Sequence, residues 1–275
     1  MREGYYSVVN GYKDPFIDKQ KSRENGHDVF IEGTTFDDLY ELFKFDRELR
    51  LTLFKYFSMA EETLKTASSY VFCERHSDET EPFLDKRNYG TQTPKLDKLI
   101  RSFLIALGRD PKRQPKKKLY LEHYLENHDE VPLWVVMKYM MFGEAFQFYC
   151  FQTESTRNAI AKVFSELYAS DHEIGVKISP RQLEKAYNHI KDFRNICAHD
   201  ERLYCAKVSP SLDTTFAVML QDLQLVLPKE SYIQATTEIA NLLLYAGRTF
   251  KRHAFLYVLD AMGAKAVEDF FTISK

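Results

Sequence analysis

TTFDDLYELFKFDRELRLTLFKYFSMAEETLKTASSYVFCERH, Thr34 to His76, is the stretch on which the fold class turns. Its apolar residues Phe36, Leu39, Tyr40 and Phe43, then Leu49, Leu53, Tyr56, Phe57, Ala60 and Leu64, recur at intervals of three and four. That spacing gathers side chains on one face of an α-helix, whereas a half-buried strand alternates with a period of two. Thr35 stands where an N-cap belongs, its hydroxyl able to accept from the first unpaired backbone N–H groups. The stretch predicts one long helix, or two in line, as the longest element of the protein.

Helical spacing continues on the C-terminal side of this stretch. After a polar loop holding Pro82, Gly90 and Pro94, helices are expected over Lys95 to Leu107, Leu119 to Asn127, Pro132 to Phe151 with an interruption at Gly143, and Thr153 to Ala169. Ser179, Pro180 and Gln182 form a capping-box start for a helix running to about His199 or beyond. Further helices are expected over Thr215 to Leu227, Ser231 to Phe250, His253 to Met262 and Ala264 to Ile273. On the N-terminal side, residues 1–34 carry turn signals at Asn10-Gly11, Asp14-Pro15, Asn25-Gly26 and Gly33 without clear periodicity, which reads as an irregular or partly helical arm. Ten Gly and nine Pro in 275 residues are too few for a turn-rich β-sandwich. The expectation is an all-α protein: an N-terminal arm, 1–34, and a helical domain, 35–275.

The balance of 38 basic against 40 acidic residues gives no general attraction for nucleic acid, so a polyanion must meet a local patch. One candidate is DPKRQPKKK, Asp110 to Lys118, with Lys112, Arg113, Lys116, Lys117 and Lys118. It reads as a solvated linker, or as a loop that contacts RNA phosphates without reading sequence. The four cysteines, Cys73, Cys150, Cys197 and Cys205, include no CxxC pair and indicate neither a zinc site nor a disulfide framework. The N-terminus lacks the basic-then-apolar order of a signal peptide, and Val131 to Phe151 is too polar for an ordinary membrane span. A cytoplasmic protein is expected.

Chemistry concentrates in KDFRNICAHDERL, Lys191 to Leu203. Continued as a helix, it places Asn195, His199 and Arg202 on one stripe with Asp192 beside them, and Phe193, Ile196, Cys197 and Leu203 on the packing side. Arg194 precedes His199 by five positions, about 140° round an ideal helix, so the two do not converge within one straight helix. Either the helix is distorted here, or Arg194 meets the histidine of a second copy across a two-fold axis. Histidine and arginine together suit RNA cleavage without a metal: histidine takes the 2′-hydroxyl proton or protonates the leaving 5′-oxygen, and arginine holds the phosphate. The plainer reading is that His199 and Arg202 are pairing residues near a helix end.

The block FRNICAHDERLY, Phe193 to Tyr204, resembles the signature of the Abi-like (AbiD/AbiF) abortive-infection proteins of the HEPN superfamily, with its Arg-four-to-six-residues-His motif. Three other segments agree with that family, in the family's order: YYSVVNGYKDPF (Tyr5 to Phe16), FDRELRLTLFKYFSMAEETLKT (Phe45 to Thr66) and PLWVVMKYMMFGEAFQFY (Pro132 to Tyr149). The resemblance implies a HEPN-like helical bundle with additional helices. It also implies a metal-independent endoribonuclease acting in phage defence or as a toxin, usually through a composite site of two motifs in a homodimer. Arg194, Asn195 and His199 match the motif as catalytic residues; Asp192 and Arg202 stand beside them as support on helical geometry alone. RNA is the implied substrate, and a small regulatory RNA a further partner; no cofactor and no membrane are expected. Members of the family usually carry a helical segment ahead of the YY…GY stretch, where this chain has four residues before Tyr5.

The alternative is a binding module that holds a structured RNA or a protein, as in a toxin–antitoxin pair restrained by a small RNA, and cuts nothing. The Lys112 to Lys118 loop and Tyr5, Tyr6 and Tyr12 would then do the binding, although an aromatic arm packed on the helical body explains the tyrosines equally. Glu61 and Glu62 could bring a carboxylate near the motif, or at least one faces water. Glu144 is a helix-end charge or a buried group needing a partner. His123 and His128 do not share one helical face, which disfavours a metal site.

Overall fold

In the computed structural model, residues 4–112, 119–128, 130–208 and 214–263 are described, and among them the only regular structure is helical. The chain begins with α1 (Tyr5–Tyr12) and α2 (Lys19–Asn25), separated by a 3-10 turn, Asp14–Phe16. Then comes α3 (Phe36–Arg75), a single helix of 40 residues where the sequence pattern allows one or two. Thr35 caps it as expected: its hydroxyl accepts from the Asp38 N–H at 3.3 Å, and the Asp38 carboxylate accepts from the Thr35 N–H at 2.7 Å. Next are α4 (Pro94–Ala106), α5 (Leu119–Asn127), α6 (Leu133–Met137), α7 (Phe142–Phe151), α8 (Glu154–Asp171) and α9 (Pro180–Ala198). The chain continues with α10 (Phe216–Val226), α11 (Lys229–Thr249) and α12 (Arg252–Met262). The helix expected over Ala264 to Ile273 lies outside the described residues.

One boundary differs from expectation. The break between Pro132 and Phe151 falls at 138–141 rather than at Gly143, which sits inside the first turn of α7. The cause is Glu144, whose carboxylate accepts from the Met141 N–H at 2.8 Å and fixes the helix start three residues earlier. Glu144 is therefore a helix-end charge. No helix among the described residues is long and apolar enough to cross a membrane.

The chain packs as two units. The first draws on Met1–Phe57, Asp192–Gln224 and Glu230–Lys275, so the arm packs with the first half of α3, the end of α9 and the C-terminal helices. Leu42, Leu49, Leu53, Tyr56 and Phe57 of α3 are fully buried there, Phe45 meets Phe250 edge-to-face at 5.6 Å, and Phe16 meets His253 at 6.0 Å. Burial of side chains this size contributes roughly 1.5–3 kcal/mol apiece.

The second unit, Ser58–Lys191 with Leu225–Lys229, holds its own aromatic core. Phe103 packs against Phe83 at 5.2 Å and Phe148 at 5.9 Å, and Phe72 lies 5.2 Å from Phe148. The Tyr89 hydroxyl, buried with them, donates to the Phe83 carbonyl at 2.7 Å, and that of Tyr187 to the Ala60 carbonyl at 2.9 Å, so neither is left unpaired. Glu61 pairs with Lys65, whose ammonium also donates to the Met140 carbonyl at 2.8 Å, while Glu62 faces water.

Candidate functional site at the end of helix α9

Helix α9 starts where its capping box predicts: the Ser179 hydroxyl accepts from the Gln182 N–H at 3.3 Å, and the Gln182 side chain accepts from the Ser179 N–H at 3.0 Å. Leu183, Ala186, Tyr187, Ile190 and Phe193 recur at helical spacing and are fully buried. At the far end the helix is regular through the motif, the His199 N–H donating to the Asn195 carbonyl at 2.9 Å. Asp200 then adopts the left-handed conformation, φ 58°, and the Glu201 N–H reaches back to the Ile196 carbonyl at 3.0 Å. This is a Schellman ending with aspartate at the position glycine usually fills, at a cost of roughly 1–2 kcal/mol.

Asp46 of α3 clamps the backbone just beyond this turn. Its carboxylate, fully buried, accepts from the N–H groups of Leu203 at 3.0 Å and Tyr204 at 2.8 Å, from the Tyr12 hydroxyl at 2.8 Å, and from Arg50 one turn along α3. Arg50, buried as well, extends its other nitrogen to Asp200. Burial pushes the Asp46 carboxyl up from its ordinary value, but every partner is a donor and opposes protonation. The Tyr12 hydroxyl is raised by burial and by Asp46. Only the three residues Asp200, Glu201 and Arg202 separate His199 from the clamped Leu203, which fixes where the histidine stands.

Asn195 and His199 are exposed, and His199 opens on a groove of about 620 Å³ whose other walls include Tyr12, Phe43, Asp200, Glu201 and Lys207. Arg194 is half-buried and sets its guanidinium over the Phe54 ring, 5.6 Å from the centroid. Because α9 runs unbroken to Ala198, the motif keeps regular helical spacing, with Arg194 over Phe54 and His199 on the groove, rather than a distortion that would bring them together. Asp192 is half-buried on the same helix. Arg202 is not on the expected stripe, because α9 ends at Ala198 and the chain turns at Asp200. Its guanidinium instead ties down the arm, donating to the Gly11 carbonyl at 2.7 Å and the Asp14 carboxylate at 3.0 Å.

Of the tyrosines weighed for base stacking, Tyr12 is committed to Asp46, Tyr5 stacks on Phe36 at 5.7 Å, and Tyr6 remains exposed. Lys112 is exposed, its backbone N–H held by Asp110 at 2.8 Å; Arg113, Lys116, Lys117 and Lys118 lie outside the described residues. Cys197, inside the motif, is pushed up to about 12 by burial and stays a protonated thiol at neutral pH, which removes it as a nucleophile. Among the described residues no three His, Cys, Asp or Glu side chains gather as a metal-ligand set.

Asp46 and Arg50 are not among the residues that the sequence singles out. Their signal is positional: 46 and 50 interrupt the apolar series 39, 42, 49, 53, so two charges sit where α3 turns inward.

No curated protein and no solved structure matches the chain. The family model described as Abi-like protein matches residues 1–205, a span that contains the arm, α3, α9 and the turn as far as the Asp46 clamp on Tyr204. On that match over nearly three quarters of its length, the chain belongs to the Abi-like protein family.

Proposed function

We propose that the protein is a metal-independent HEPN endoribonuclease serving in abortive infection, as a phage-defence or toxin effector, and that Arg194, Asn195 and His199 are its catalytic residues. The observation that carries this reading is His199 standing exposed over an open groove at the end of a regular helix, on a turn anchored by a fully buried carboxylate. A histidine that only packed or capped would not need so costly an anchor: burying Asp46 and Arg50 together is expensive unless every polar partner is present.

Arg194 faces Phe54 while His199 faces the groove, which favours a homodimer in which each groove receives the arginine of the second copy. In that arrangement one His199 takes the 2′-hydroxyl proton, the 2′-oxygen attacks phosphorus, and the His199 of the second copy protonates the departing 5′-oxygen. The products are a 2′,3′-cyclic phosphate and a 5′-hydroxyl. Arg194 holds the charge that builds on the non-bridging oxygens, and Asn195, exposed one turn before His199, orients the phosphate or the imidazole. Asp192 stands beside the motif on α9 as support, and Arg202 acts through the arm.

The test compares wild type with His199→Ala and Arg194→Ala on single-stranded RNA in EDTA, with folding verified by circular dichroism. Cleavage by wild type alone, leaving cyclic phosphate ends, is expected; mixing the two variants should not restore it, because a mixed dimer holds only one of the two histidines that the step uses. Full activity in either variant would refute the assignment. RNA retention without cleavage by wild type would leave the binding module as the better reading.

A further inference from the structure

A second cavity lies wholly within the second unit, between the last turns of α3 and the short helix α6. It encloses about 350 Å³, near the lower end of the size of small-molecule sites and suited to one nucleotide rather than a chain. Two segments supply it at helical spacing: Glu62, Ser69 and Tyr70 from α3, and Trp134, Met137 and Lys138 from α6 and its C-terminal cap.

Three features set it apart from an incidental hollow. Trp134, the only tryptophan in the chain, is 55% exposed, and Tyr70 is 64% exposed, so two large rings of the wall stand in water. Ser69 is fully buried in the lining, and its hydroxyl has no hydrogen-bond partner among the described residues. The charges are also sorted. Lys65 is engaged by Glu61 and the Met140 carbonyl, which leaves Glu62 and Lys138, both exposed, as the acid and the base facing the opening.

We infer that this cavity is a seat for a guanine nucleotide, with the base against Tyr70 and Trp134, Glu62 on its hydrogen-bonding edge and Lys138 on its phosphate. Aromatic side chains accept any base by stacking. The carboxylate chooses among them: guanine alone presents two adjacent donors, N1–H and the 2-amino group, that one carboxylate accepts in parallel, while adenine and cytosine offer a single amino donor beside an acceptor. An ammonium ligand, which aromatic walls also suit, is disfavoured by Lys138. The Ser69 hydroxyl gives a ligand reaching the floor a polar contact. The seat is independent of whether His199 cuts RNA.

Trp134 makes the test direct, since fluorescence excited at 295 nm reports from this one position. Guanosine 5′-monophosphate should quench it saturably, at least tenfold more tightly than adenosine 5′-monophosphate or choline. Glu62→Gln should weaken guanosine monophosphate at least tenfold, Tyr70→Ala should weaken both nucleotides, and Lys138→Ala should weaken the nucleotide but not guanosine. His199→Ala should bind as wild type, which separates this seat from the ribonuclease reading. With His199→Ala protein, the oligoribonucleotides UUGUU and UUAUU then identify the source. Selective binding of UUGUU assigns the seat to guanine within RNA, and binding of guanosine monophosphate alone assigns it to the free nucleotide. No saturable quenching by guanosine monophosphate or UUGUU, equal quenching by the adenine or choline probes, or an unaltered Glu62→Gln variant would each overturn it.

Discussion

Replacing Asp46 by alanine removes, in one step, the acceptor for two backbone N–H groups, a tyrosine hydroxyl and a buried guanidinium. Leu203 and Tyr204 are fully buried, so water does not readily take over their N–H groups, each of which costs roughly 1–3 kcal/mol when left unpaired. Removing one member of a buried ion pair costs about 3–5 kcal/mol by itself, but Arg50 keeps Asp200 as a second partner, so the terms do not simply add. A total of about 4 kcal/mol is expected, a large share of the 5–15 kcal/mol by which domains are typically stable. Asp46→Asn keeps one acceptor oxygen and loses the charge, for about 2 kcal/mol. Urea titrations followed by circular dichroism, with the exposed His199→Ala as the near-neutral control, measure all three. Amide exchange adds a local readout: Leu203 and Tyr204 should lose protection in Asp46→Asn before the core of the second unit does. If Asp46→Ala falls within about 0.5 kcal/mol of wild type, or those two amides keep their protection, the clamp does not hold the turn as argued.

Tyr12→Phe removes one donor from the same carboxylate and should cost about 1 kcal/mol in the same titration; no loss would mean that the arm is not anchored there. Gly90→Ala should cost about 1–3 kcal/mol, because the new methyl would stand 2.9 Å from the Gln152 carbonyl oxygen and 3.0 Å from the Thr153 Cα, backbone atoms that cannot turn aside. A Gly90→Ala protein with an unchanged urea midpoint would show that these segments yield. Alkaline pH should destabilise the protein: burial raises the thiols of Cys150 and Cys197 from about 9 to about 12, so the unfolded chain releases protons the native state retains. Stability is then whole below pH 9 and falls as pH rises toward 12, by about 1.4 kcal/mol per thiol at pH 10, and Cys150→Ala/Cys197→Ala should flatten the decline between pH 8 and 10. An equally steep decline in the double variant would place the titrating groups elsewhere.

The elements most legible in the sequence are those whose ends carry their own chemistry. Thr35 with Asp38 and Ser179 with Gln182 are local pairs three residues apart, so the starts of α3 and α9 can be read without knowing the fold. The start of α7 is harder to place because a glycine marks a break less reliably than a carboxylate that caps; Glu144 holds the information, and Gly143 beside it is the more conspicuous residue. The motif residues are legible as a set, but periodicity carries Arg202 onto a helix that has already ended, since aspartate in the left-handed conformation at 200 leaves little trace in the sequence. Asp46 is hidden for a different reason. Its partners Leu203 and Tyr204 lie 157 and 158 residues away and offer backbone N–H groups, which every residue but proline possesses.

That remote pairing bears on why the arm, α3 and the motif fall within one family match. Tyr12 reaches Asp46 from α1, and Gly11 and Asp14 receive Arg202 from the turn after the motif, so the arm touches the site twice. A buried carboxylate with fewer donors would be a net cost, and the four donors here come from three parts of the first unit: α1, α3 and the turn after α9. The network is therefore favourable only when all three segments are in place, and the geometry of His199 depends on that assembly rather than on α9 alone. Arg194 stands earlier on α9, over Phe54, which sits about two turns from Asp46 on the exposed side of α3. His199 is thus set by the assembled arm, α3 and turn, while Arg194 stands over the exposed side of α3, an arrangement expected if the two act on RNA from opposite copies.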